Sequence, residues 1–286
     1  MIKDLSYTQG ENLIADNLMT AEEYAVRAEE LPAPPYGFEI TTGGKSIRYL
    51  GLDHTFEAGD AALAELETQF QLSPPSSVFV EGVGAVGKYE REEIFTYLRT
   101  MSRDEVIQRH GEPMFTLWLA AQFETPENPI AIYSPEPPFQ DEISAMESTG
   151  FSREDILSYH IFRTVPQYLA EGGAPEPDTF LDYIRPTLAS FARCPGWDDA
   201  LMLGEDIAEQ IDLFDPEKYS NLSDPIPWEG KSLGPTNAVA KQTSRMRDEY
   251  IVSEIVKNCG ANALVVYGYS HAVMQEPALR KAFQGG

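Results

Sequence analysis

Apolar and polar positions follow two rhythms along this chain, and the change from one to the other marks out its elements. Apolar runs of strand length occur at 46–52 (SIRYLGL), 77–81 (SVFVE), 129–133 and 263–267 (ALVVY). Between them, helical spacing predicts helices at about 60–70, 90–100, 113–123 and 244–258, with a short helix at the carboxyl end. Strands alternating with helices predict an α/β fold: a mainly parallel central sheet flanked by helices, with the first and last of these strands as neighbours.

Two stretches depart from that rhythm. Residues 1–40 read as a helical extension, in which Thr20 and Glu23 make a capping box for a helix through Leu31 and Pro32, Pro34 and Pro35 end it. Residues 140–235, between the third strand and the last helix, read as a helical insert. Ser152 and Asp155 open one of its helices, another lies near 179–193, and proline-rich loops separate them. The expected organisation is one α/β domain over 41–286 that carries this insert.

Composition narrows the partners. The 286 residues are 42% hydrophobic, ample for a core, and 46 acidic against 21 basic side chains give a formal net charge of -25. Such a surface repels phosphate backbones and anionic lipids, which argues against nucleic acid and membrane partners. No stretch approaches the length of a membrane span, and the first residues carry charges where a signal peptide needs an apolar core, so a cytoplasmic location is expected. The two cysteines, Cys194 and Cys259, have no metal-site spacing and read as free thiols.

The candidate chemistry begins with the histidines. Two of the four end a hydrophobic strand in the same pattern, Gly51-Leu-Asp-His54 and Gly268-Tyr-Ser-His271. Glycine there would let the backbone turn sharply off the strand and set the imidazole at the carboxyl edge of the sheet, where open α/β folds bind ligands. Glu81 ends the run Val78-Phe79-Val80 at the same edge. With two imidazoles nearby it could orient one of them, take a proton from water, or complete a His54, Glu81, His271 set for a divalent Mn, Co or Zn ion. Arg247 shares a helix face with Ile251 and Ile255, which predicts burial and an anionic partner, either Glu81 or the oxyanion of a reacting acyl group. Glu136, after the third strand, and Glu112, in His110-Gly-Glu-Pro, are weaker candidates, and His160 reads as a packing histidine.

The segment from Gly82 to Lys88, GVGAVGK, follows a strand and fits both GxGxxG and GxxxxGK. Tyr89 stands where a phosphate loop needs Ser or Thr, Glu81 would face the phosphates, and no acidic residue ends a second strand about 20 residues on. A backbone loop over the site is the alternative reading of these glycines.

Paired GxxH motifs (Gly51/His54 and Gly268/His271), a strand-end Glu81, and Arg247 followed by Asp248 in the penultimate helix resemble the TraB/TIKI group and its erythromycin-esterase and ChaN-like relatives, over about residues 46–280. The resemblance implies this fold. It also implies one of several activities: manganese- or cobalt-dependent peptidases, macrolide esterases in which a histidine activates water, or haem-binding lipoproteins. The chain departs from the lipoproteins and from the membrane-anchored peptidases in showing no lipoprotein signal and no membrane segment. The leading expectation is a hydrolase of an ester or amide in a small-molecule or peptide substrate, with His54 or His271 activating water, Glu81 orienting it or sharing a metal, and Arg247 on the oxyanion. A non-enzymatic metal or haem binder using the same histidines is the second, and phosphate or nucleotide binding at Gly82–Lys88 the third.

Overall fold

The computed structural model describes residues 13–83, 88–170, 172–174, 176–225 and 234–284. The chain divides into two units, Met1–Glu136 with Arg247–Gly286, and Pro137–Met246. In the first, α1 (Ala21–Ala28) leads into β1 (Tyr36–Thr42), β2 (Lys45–Leu52), α2 (Ala61–Leu72), β3 (Ser77–Val80), α3 (Lys88–Leu98), α4 (Arg103–Phe123) and β4 (Ala131–Tyr133). The second holds α5 (Phe139–Ser148), α6 (Arg153–Phe162), α7 (Thr164–Ala170), α8 (Pro177–Phe191), α9 (Ala200–Ala208) and α10 (Pro216–Ser223). Helix α11 (Pro235–Asn258) supplies residues to both, and β5 (Asn262–Gly268) and α12 (Tyr269–Gln284) complete the first.

The fold is α/β. The sheet runs β1-β2-β5-β3-β4, with β1 antiparallel to β2 and every other pairing parallel. The last strand is inserted between β2 and β3, so the predicted pairing of 46–52 with 263–267 is present. Strand alternation sorts the core into two faces. Leu50, Leu52, Val78, Val80, Leu264 and Val266 pack with α2 and α4, while Ile47, Tyr49, Phe79, Val265 and Tyr267 pack with α11 and α12. Among the described residues no helix is long and apolar enough to cross a membrane.

Several expectations are corrected in detail. Tyr36–Thr42, placed in the helical extension, is a strand: Phe38 and Ile40 alternate with polar residues, and Gly43 and Gly44, at φ of 55° and 84°, make the hairpin turn to β2. The helix expected from 113 begins at Arg103, because Ser102 and Glu105 form a capping box, and Gly111 at φ 70° breaks it internally. Helix α11 begins at Pro235 rather than 244, so Arg247 lies in its middle, and the terminal helix has 16 residues.

The two GxxH glycines have a different physical role from the one expected. Neither takes a positive φ. Gly51 lies within β2, and a Cβ there would stand 2.5 Å from Ala272 Cβ and 3.2 Å from Tyr269 Cα. It is the place where α12 approaches the sheet. Gly51→Ala is therefore expected to lower stability by about 1–3 kcal/mol through overpacking, read as a fall in the urea midpoint at unchanged slope; a neutral substitution would mean that α12 can withdraw freely.

Candidate functional site

The parallel register makes neighbours of the two motifs. Gly51 pairs with Tyr267 and Leu52 with Gly268, so both tetrapeptides leave the carboxyl edge of the sheet side by side. Past that edge their histidines join different clusters.

The first cluster lies on the side covered by α11 and α12. Glu81 follows Val80 and so falls, by strand alternation, on the same side as Phe79. Arg247, one turn from Ile251, reaches the same place: its Nη2 donates to Glu81 Oε1 at 2.7 Å and to Glu136 Oε1 at 2.8 Å, and its Nε donates to Glu136 Oε2 at 2.6 Å. The Gly268 amide donates to Glu81 Oε2 at 2.7 Å, and a Cβ on Gly268 would stand 3.3 Å from that oxygen. This close approach is the reason for the second motif glycine.

His271, in the first turn of α12, completes the cluster. Its Nε2 lies 3.1 Å from Arg247 Nη1 and 3.6 Å from Glu81 Oε1, and its Nδ1 lies 2.6 Å from Asp248 Oδ1. Arg247 is the donor to Nε2, so the neutral ring carries its proton on Nδ1 and donates it to Asp248. Gln275, one helical turn after His271, donates from Nε2 to the same Asp248 oxygen at 2.6 Å and accepts from Tyr49 OH at 2.9 Å. Asp248 is 1% exposed, and its Oδ2 is buried with no hydrogen-bond partner.

Electrostatics follow from this packing. Burial would raise the Glu81 carboxyl, but the charges of His271 and Arg247 and the Gly268 amide hold it below the ordinary carboxylate value. Burial likewise works against charge on His271, and the carboxylates of Asp248 and Glu81 outweigh it, so the imidazole is raised above its ordinary value. Arg247 is stabilised as a cation: its desolvation is more than offset by Glu136 and Glu81.

The second cluster lies on the α4 side. Gly111 ends the first part of α4, and the restarted helix buries Glu112 on the face that carries Phe115 and Leu119. Glu112 Oε1 hydrogen-bonds His54 Nδ1, and Glu112 Oε2 accepts the Thr55 amide at 3.0 Å. The carboxylate side chain is 7% exposed, whereas the His54 side chain is 63% exposed. Its hydrogen bond to Glu112, acting against partial burial, raises the His54 pKa above the ordinary imidazole value. Glu81 and Glu112, one from each cluster, both face a cavity of about 10 Å³ at the strand ends, bounded also by Val80, Pro113, Val266 and Tyr267.

Of the predicted residues, the structure thus gathers Glu81, Arg247, His271 and Glu136 in one cluster and His54 with Glu112 in another. Gln275 is an addition, and Asp248, marked in the sequence only as the residue following Arg247, joins the cluster through His271. His160, in the second unit, is 7% exposed among Phe139, Tyr159 and Phe191, and burial depresses its pKa to about 3.

A metal held by His54, Glu81 and His271 meets a specific obstacle here: both ring nitrogens of His271 and both oxygens of Glu81 are already engaged, one of each by Arg247 and the others by Asp248 and the Gly268 amide. Among the described residues, no group of three or more His, Cys, Asp and Glu is placed to hold a metal ion. The phosphate-loop expectation, Gly82–Lys88, falls largely on residues 84–87, which lie outside those described. Comparison of the chain with protein-family models, with curated proteins and with solved structures finds no match.

The ion pairs of Arg247 have a testable pH dependence. Because the Glu81 carboxyl is held below the value of about 4.3 it has in an unfolded chain, its contribution to stability is present above that pH and lost as pH falls through the lowered value. Arg247→Ala should cost about 3 kcal/mol at pH 7 by removing the guanidinium that pairs with Glu81, and less at an acidic pH below the lowered Glu81 value, where that carboxylate is protonated in the wild type as well. Equal losses in urea titrations at the two pH values would show that the arginine acts by packing alone.

Proposed function

We propose that this chain is a hydrolase of an ester or amide in a small-molecule or peptide substrate, with His54 as the general base. The observation that carries the reading is the contrast within the His54–Glu112 pair. A buried carboxylate fixes the Nδ1 side of an imidazole that is otherwise 63% exposed, and this leaves Nε2 free to meet water and substrate. His271, with both nitrogens engaged, is less suited to that role.

In this reading Nε2 of neutral His54 takes a proton from water as the water oxygen attacks the carbonyl carbon. Glu112 stabilises the imidazolium that forms. Collapse of the tetrahedral intermediate breaks the bond to the leaving group, which receives the proton from His54 and departs as alcohol or amine, leaving the acid. Arg247 supplies the cationic side of the site for the developing oxyanion, while Glu81 and Glu136 hold it in place. A metal-assisted version with His54, Glu81 and His271 as ligands would require Arg247 to give up its contacts to both Glu81 and His271.

A panel of esters and amides tests this. His54→Ala should lower kcat by about 10²–10⁴-fold with the fold retained, and a variant that turns over at the wild-type rate would remove His54 from the chemistry. In the wild type, kcat/KM should fall as pH drops through an inflection above about 6.5, since the base must be neutral and Glu112 raises its pKa. Glu112→Gln should move that inflection down. One equivalent of Mn, Co or Zn per purified chain, lost in both His54→Ala and His271→Ala, would instead establish the metal-assisted route.

A further inference from the structure

The loop that carries His54 displays a second side chain that the chemistry above does not use. Phe56 is 59% exposed. Its loop is held on both sides: Glu112 Oε2 accepts the Thr55 amide at 3.0 Å, the Glu57 amide donates to Thr55 Oγ1 at 3.1 Å, and Arg103 Nη1 donates to Ala58 O at 2.9 Å. Asp60 then caps α2 through the Ala62 amide. The ring is therefore presented by a fixed backbone.

One edge of the ring rests on the break in α4. A Cβ at Gly111 would stand 3.3 Å from Phe56 Cε1 and 3.3 Å from Thr55 O, so the bare backbone of Gly111, at φ 70°, is what lets the ring lie down beside Glu112. The residue before Gly111, His110, meets the ring of Tyr97 edge-on with centroids 6.0 Å apart. Tyr97 is itself 47% exposed. The polar residues flanking Phe56 in the loop, Asp53 and Glu57, are both acidic and exposed. Exposed aromatic surface next to a general base, bordered by carboxylates, suits a group that is apolar and carries no negative charge.

We propose that Phe56 is a specificity-determining residue: its exposed face seats an uncharged phenyl or alkyl group of the substrate, adjoining the carbonyl presented to His54. The proposal rests on the hydrolase reading for its substrate, but the binding it describes can be measured without turnover. Contact with one aromatic ring is worth about tenfold to hundredfold in affinity, and a short acyl group that cannot reach the ring gains none of it.

The test is a titration of the protein with phenylacetamide and, separately, with acetamide, followed by the NMR signals of the His54 ring. Phenylacetamide should shift the His54 resonances saturably and acetamide should not over the same range. Phe56→Ala, which alters only an exposed side chain and should keep its melting temperature, should weaken phenylacetamide binding at least about tenfold, and Phe56→Leu should restore most of it. No saturable shift in the wild type, or equal binding by Phe56→Ala, overturns the proposal. Saturable binding with no ester or amide hydrolysed would remove the hydrolase reading and leave the Phe56 platform standing. Hydrolysis of acetyl esters with no gain for phenylacetyl esters would do the reverse.

Discussion

One guanidinium ties four elements of the first unit together. Arg247 on α11 binds Glu81 at the end of β3, Glu136 just beyond β4 and His271 at the start of α12. A largely withdrawn cation of this kind, its side chain 25% exposed, has to be surrounded by acceptors, and this constraint determines much around it. It needs a carboxylate at a strand end, a second carboxylate in the following crossover, an imidazole whose tautomer is set from its other side, and a glycine at 268 that lets the strand close over Glu81. Removing either carboxylate leaves part of the guanidinium charge without its partner.

The sheet then divides the polar residues between its two faces. Glu81, by the parity of its strand, belongs with the α11 and α12 layer, whereas Glu112 comes from the layer on the opposite face. Both reach the carboxyl edge because that is where the parallel strands stop and where side chains from either layer can meet. The first cluster has its histidine and Glu81 mostly withdrawn from solvent. The other keeps its carboxylate buried and its imidazole out. That difference in exposure, more than the identity of the histidines, is what assigns them separate roles in the proposed reaction.

Much of this was legible in the chain because it depends on local rules. Strand and helix periodicity located four of the five strands, and the strand-end position of Glu81 and the helix face of Arg247 followed from side-chain direction alone. The strand Tyr36–Thr42 was hidden by the prolines before it, although the Gly43-Gly44 turn between two alternating runs carried its signal. The GxxH glycines were conspicuous for a reason other than the expected one: both mark close approach, of α12 at Gly51 and of a carboxylate at Gly268, and neither marks a turn. Glu112 looked like a loop carboxylate because Gly111 and Pro113 flank it. Only a tertiary contact, the Thr55 amide across the site, shows that the helix restarts there with its acid turned inward. Partners separated by 58 residues, as His54 and Glu112 are, leave no spacing pattern to read.

The hydrogen bonds behind His271 have a direction. Tyr49 donates to Gln275, Gln275 donates to Asp248, and neutral His271 donates to the same Asp248 oxygen from the other side. Two donor chains thus converge on one acceptor. Such an arrangement gives a proton no onward path: one leaving Nδ1 would stop on Asp248, because an amide N–H does not pass protons onward to the Tyr49 hydroxyl, which burial holds well above its ordinary pKa. The core end of the network is therefore an insulator, and any proton exchanged by His271 has to enter and leave through Nε2, on the side shared by Arg247 and Glu81.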